Sequence, residues 1–217
     1  MERDTREWLW PLTGILFAVL LIVSIIIQGS PKGADKPANE VAQWYIDNKD
    51  SAQISAFIGT VAAVPLIFFG AYLRKILEGA GSALAVLPLI GLAIVGIGGA
   101  IDNMLLFATA ERANDIPAAS VQTIQAIWDS DFLPFFLGIM VFLWSVGIGV
   151  LRTGVLPKWL GWVAIAGGVI SLAGPVGFIG ALIAGIWVII ASIMLTLRAR
   201  GPASAAPAAP AATPAQG

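Results

Sequence analysis

Six runs of apolar residues, at 12–27, 51–73, 82–110, 133–151, 160–172 and 176–197, alternate with shorter polar or charged segments along the chain. A bilayer core of about 30 Å takes about 20 helical residues. The pattern therefore predicts an all-α fold: a six-transmembrane helix bundle with short amphipathic helices in two outer loops. The spans are expected at about 9–28, 51–74, 82–110, 132–152, 158–173 and 176–198, in one membrane domain over 1–200. Ala173-Gly174-Pro175 divides the last two runs. Gly-Pro is a strong breaker, and a continuous helix through both runs would be nearly twice the membrane thickness. A single kinked helix with a re-entrant half is the alternative. The first run is longer than an ordinary signal-peptide core and is followed by the turn Gln28-Gly29-Ser30-Pro31, so a retained span is expected there.

The segments between runs carry their own patterns. In the first outer loop, 37–40 opens a short helix through Val41, Trp44 and Tyr45, and Asp50-x-x-Gln53 reads as a capping box starting the second span. In the second, Asp115-Ile116-Pro117 starts another, with Val121, Ile124 and Trp128 at helical spacing. Both loop helices are expected to lie in the interface as part of the Trp/Tyr belt. Residues 201–217, rich in Ala and Pro and without charge or periodicity, are expected to be a disordered cytoplasmic tail.

Charge orients the bundle. With six spans and an inner N-terminus, Arg3, Arg6, Arg74, Lys75, Arg152, Lys158, Arg198 and Arg200 fall inside, and only Lys32, Lys36, Lys49 and Arg112 outside. That satisfies the positive-inside rule and makes both termini cytoplasmic. Small residues form stripes: Gly161, Ala164, Gly168 and Ser171; Gly177, Ala181 and Gly185; Ala93, Gly96 and Ala100. Such stripes let helices pack closely in a bilayer, and an oligomer through these faces is the minority reading.

Composition narrows the chemistry. The chain of 217 residues is 58% hydrophobic and 12% charged, with a net charge of −1 and no Cys or His. The usual ligands of zinc, copper, iron–sulfur clusters and histidine-ligated haem are therefore missing, as is the commonest general base. No cofactor, metal or nucleic-acid partner is expected, and enzymatic activity is disfavoured. Asp102-Asn103 is the one acidic interruption inside an apolar run. A carboxylate within a span costs a few kcal/mol on insertion scales, so it needs compensation. Asp102 is expected to face the bundle, with Asn103, Gln53, Ser130 or Asp131 as polar neighbours. The candidate binding residues are Asp102, Asn103, Gln53, Trp44, Trp128 and Asp131, around an outer-leaflet pocket between the third span and the two loop helices. The other outer carboxylates, Glu111, Asp115 and Asp129, read as solvated loop charge.

One segment carries a resemblance. Leu156-Pro157-Lys158-Trp159-Leu160-Gly161-Trp162, together with Trp44-Tyr45 and Asn48, resembles an uncharacterised family of small multi-span bacterial membrane proteins common in actinobacteria. The resemblance implies a bacterial plasma membrane and a six-helix fold, with no activity to inherit. Two functions follow from the residues: a non-enzymatic membrane protein whose outer pocket takes a lipid-like molecule or a membrane partner protein, or a secondary transporter of a small molecule or ion. Against the second, no ionisable residue is expected at the midplane or in the inner half of a path.

Overall fold

The computed structural model describes residues 7–173 and 177–200. The predicted tail, Arg3, Arg6 and the Gly174-Pro175 breaker lie outside the described residues.

A short 3-10 turn, Glu7–Leu9, leads through Pro11 into α1 (Leu12–Gln28). Because Pro11 takes the N-cap position, this helix starts later than the predicted 9 and is only 17 residues long. The loop helix α2 (Ala38–Asp47) follows Pro37, whose extended backbone (ψ 138) cannot continue a helix backwards. Next come α3 (Lys49–Ile76) and α4 (Ser82–Arg112), joined by the 3-10 turn Glu78–Ala80 and by Gly81, whose φ of 110 suits only glycine. The second loop helix is α5 (Ala118–Trp128), started by Pro117 as predicted. α6 (Leu133–Thr153) ends on Gly154 in the left-handed conformation, then α7 (Lys158–Ile170) and α8 (Gly177–Arg200) complete the chain.

The architecture is all-α, with no strand among the described residues. Among them, α3, α4, the stretch Ala118–Thr153 that contains α6, and α8 are long and apolar enough to cross a membrane. α1 and α7 are shorter apolar helices of 17 and 13 residues, below the length the other four reach.

The helices form a closed ring in the order α1, α3, α4, α6, α7, α8, with α8 returning against α1. One core runs through it, built on Leu66, Phe69 and Leu73 of α3, Leu92 of α4, Ile139, Phe142, Leu143 and Val146 of α6, and Trp187 of α8. Backbone approach sets the spacing. A Cβ on Gly91 would stand 2.5 Å from the Phe142 amide nitrogen, and one on Gly138 2.8 Å from the Val95 nitrogen, so α4 and α6 meet through paired glycines. These two are not in the stripes singled out from sequence; of the stripe residues, Gly161 and Gly168 do face α6, whereas Gly185 has open space where a side chain would stand.

The loop helices are held by tertiary contacts. α2 and α5 pack against each other and onto the ends of α3 and α4, forming a second core of Val41, Ala42, Tyr45, Ala52, Ala56, Leu106, Ala110, Ala113 and Val121. The residues buried at i, i+4 spacing, Val41 and Tyr45 on α2 and Val121 and Gln125 on α5, form the facing sides of the two helices. The predicted capping box is absent. Asn48 occupies the cap of α3 without a side-chain bond to it, and Gln53 reaches elsewhere.

Candidate functional site

Asp102 stands on α4 just below the cap formed by α2 and α5. It lines a cavity of about 310 Å³ with Trp128 and Asp129 from the end of α5, Asp131 and Phe132 from the connection into α6, Phe135 of α6 and Phe178 of α8. The chain turns sharply over 129–132, and Pro134 at the start of α6 fits the first turn, where no amide donor is needed. That turn sets Asp131 beside Asp102. The Oδ1 of Asp102 is enclosed and has no hydrogen-bond partner. Among the described residues, no lysine or arginine lines the cavity. The walls are aromatic: Phe178 packs edge-to-face on Phe136 at 5.1 Å, and Phe136 also touches Phe132 and Phe135, at 5.4 and 6.3 Å.

The arrangement concentrates carboxyl groups among ring faces, with no lysine or arginine among the described lining residues to balance them. Like charges at short range repel, and a cation relieves the repulsion while its neighbours stack on the aromatic faces.

The six residues proposed from sequence are thus divided. Asp102, Asp131 and Trp128 come together. Asn103 points the other way: its amide covers Gly59 of α3, where an added Cβ would lie 2.7 Å from Nδ2 and 3.0 Å from the Ser24 hydroxyl of α1. It also lines a separate groove of about 270 Å³ with Phe57, Thr60 and Met104. Adjacent helical residues differ by about 100° in direction, and here that step turns Asn103 toward α3 while Asp102 faces the cavity. Gln53 donates to Glu111 Oε2 at 2.6 Å, and Lys49 Nζ stands 2.9 Å from the same oxygen, a bridge between α3 and α4 at the surface. Trp44 packs edge-on to Tyr45 at 5.1 Å, and its carbonyl accepts from the Asn48 side chain at 2.8 Å. The pocket is therefore not bounded by α2, and α8 supplies a wall that sequence reasoning did not assign.

Asp129, set aside as loop charge, has a structural role. Its Oδ1 accepts from Gln125 Nε2 at 2.8 Å and its Oδ2 from the Ala34 amide at 2.9 Å. Gln125 in turn accepts from the Tyr45 hydroxyl at 2.6 Å, and Gln122 donates to the Ala34 and Lys36 carbonyls. Burial, and after it the Asp129 carboxylate, pushes the Tyr45 hydroxyl above its ordinary ionisation range. The phenol so remains a donor. The chain Tyr45, Gln125, Asp129, Ala34 fastens both loop helices and fixes one carboxylate on the pocket rim. A glutamine four residues past Val121 and four before Asp129 was the legible signal for it.

The family model of a domain of unknown function (DUF4386) matches residues 12–207. No curated protein and no solved structure matches the chain. The chain belongs to the DUF4386 family.

Proposed function

We propose that this DUF4386 chain is a six-span protein of a bacterial plasma membrane, with both termini cytoplasmic, whose outer-side pocket binds a lipid-like molecule bearing a positive charge. α1 and α7 complete the six spans in this reading, since each is apolar and packed between longer neighbours in the ring. Shortfalls of length are met by local thinning of the bilayer. The observation that carries the ligand class is the Asp102–Asp131 pair: two carboxyl groups side by side, one oxygen enclosed without a partner, in an aromatic cavity with no lysine or arginine among the described residues of its lining. An ammonium group satisfies the oxygens, and the rings accept the methyl or methylene groups around it. The pocket is non-catalytic in this account. Transport remains the second reading, disfavoured because the narrow cavity beneath the pocket is lined by apolar side chains and glycine alone.

The test uses the full chain in phosphatidylcholine nanodiscs. Dodecyltrimethylammonium is expected to bind saturably above the level of empty discs, and dodecyl sulfate is not. Loss of a charged partner within a partly buried site weakens such contacts by about tenfold or more, so Asp102→Asn and Asp131→Asn should each lower the affinity by that amount. Equal binding of the anionic amphiphile, or wild-type affinity in the double variant, would sink the proposal.

A further inference from the structure

Phe135 lines two cavities at once. Above it is the carboxylate pocket; below it is a narrow apolar slit of about 60 Å³ along the bundle axis, bordered by Phe17 and Leu21 of α1, Leu66 of α3, Leu92 and Val95 of α4, Ile139 and Phe142 of α6, and Ala184, Gly185 and Val188 of α8. The slit touches five of the six ring helices.

Three helices report its length in the same way. From Asp102 to Leu92 on α4, from Phe132 at the cap of α6 to Phe142 within it, and from Phe178 to Val188 on α8, the pocket and the inner end of the slit are separated by ten residues. At the α-helical rise this is about 15 Å, the reach of an extended alkyl chain of roughly a dozen carbons. One feature leaves room for a chain: a Cβ added at Gly185 would meet nothing within 4 Å, so the α8 side of the slit is open there.

We propose that the pocket and the slit are one site, taking a single-chain cationic amphiphile with its head at Asp102 and Asp131 and its alkyl chain threaded past Phe135 along the bundle axis. This rests on the cationic reading of the pocket. The narrow slit admits one unbranched chain, so a two-chain lipid is excluded, and Phe135 is the side chain that a bound chain displaces. A head bound at the pocket with its chain left in the bilayer is the competing arrangement. Its chain would run along the exposed faces of the same helices, beside Leu137, Leu182 and Ile186.

The experiment distinguishes the two by where the chain ends. The full chain in phosphatidylcholine nanodiscs is photolabelled with dodecyltrimethylammonium carrying a diazirine at its terminal carbon, and the adducts are mapped by peptide mass spectrometry. Competition by unlabelled dodecyltrimethylammonium defines the saturable fraction. Saturable adducts are expected within 139–142 and 184–188, on the buried residues. Gly185→Leu, which fills the slit where a side chain meets nothing, should move most of those adducts to exposed residues, and Ala181→Leu should do the same from one turn away. Saturable adducts on Leu137, Leu182 and Ile186 in the unaltered chain would overturn the threaded arrangement while leaving the cationic pocket standing. Absence of any saturable labelling would overturn both.

Discussion

Replacing Tyr45 by Phe removes one hydroxyl and leaves the ring where it is. The ring is almost wholly buried, and among the described residues its oxygen is the only donor to the Gln125 carbonyl, itself 1% exposed. The phenylalanine variant thus leaves a buried acceptor without a partner, which costs about 1–3 kcal/mol. The energy falls on the cap of α2 and α5, because that bond joins those two helices, so the sensitive quantity is local opening of the cap and not global unfolding. The chain has no cysteine, and Ala42, 6% exposed on the inner face of α2, can be changed to Cys with little change of volume. Its labelling rate by a small thiol reagent then reports the open fraction. Tyr45→Phe on this background should raise the rate by roughly 5- to 150-fold. Adding Gln125→Met removes the orphaned carbonyl as well and leaves Asp129 free to hydrate at the surface, so the double variant should label more slowly than the single one. A rate changed less than twofold by Tyr45→Phe, or a double variant more open than the single, would refute the claim that this buried bond secures the cap.

Three further outcomes are expected. Gly91→Ala should lower the melting temperature in detergent, by the equivalent of about 1–3 kcal/mol, since its Cβ would stand 2.5 Å from the Phe142 backbone, whereas Gly185→Ala meets nothing within 4 Å and should leave it unchanged; equal melting of the two would contradict the tight α4–α6 seam. Cysteines introduced at Ala34 and Ser120 should react with an impermeant reagent on intact cells while one at Ser204 does not, and labelling of Ser204 from outside would overturn the assigned orientation. Because the Tyr45 phenol ionises at higher pH in the folded chain than its ordinary value of 10.0, its contribution to the cap is complete below pH 10 and declines above it. Thiol labelling at position 42, corrected for thiolate formation with a fully exposed cysteine, should therefore accelerate above that pH in the wild-type background and not in Tyr45→Phe.

Much of the secondary structure is written in local terms. Apolar runs long enough to satisfy their own backbone hydrogen bonds become helices whatever surrounds them, and Pro37, Pro117 and Gly154 mark helix boundaries through φ restriction or freedom that is independent of the rest of the chain. The helical nature of the two outer loops was equally legible from their i, i+4 spacing. That the usual ligands of zinc and histidine-ligated haem are missing was read from residue counts alone. What a sequence of this kind does not encode plainly is helix rotation. Lipid is as apolar as a protein core, so a membrane-type helix carries little contrast between its buried and outward faces. For that reason Gly91 and Gly138, which set the α4–α6 contact, were indistinguishable from glycines such as Gly185, where an added side chain would meet nothing.

The candidate site shows the same division. Asp102 stood out because an acid in an apolar run is costly wherever it points. Its neighbours were decided by the ring order and by the turn at 129–132, which set Asp131 beside it and turned Asn103 toward Gly59 on the opposite side of α4. Gln53 went to Glu111 because α3 and α4 run antiparallel and bring those two positions level, 58 residues apart in the chain. Phe178 entered the pocket because α8 closes the ring, and Gln125 became a buried link because α2 folds across it. The sequence determined that there would be helices, and one carboxyl group needing compensation among them; long-range packing, which no local pattern specifies, decided which side chains supply the surroundings.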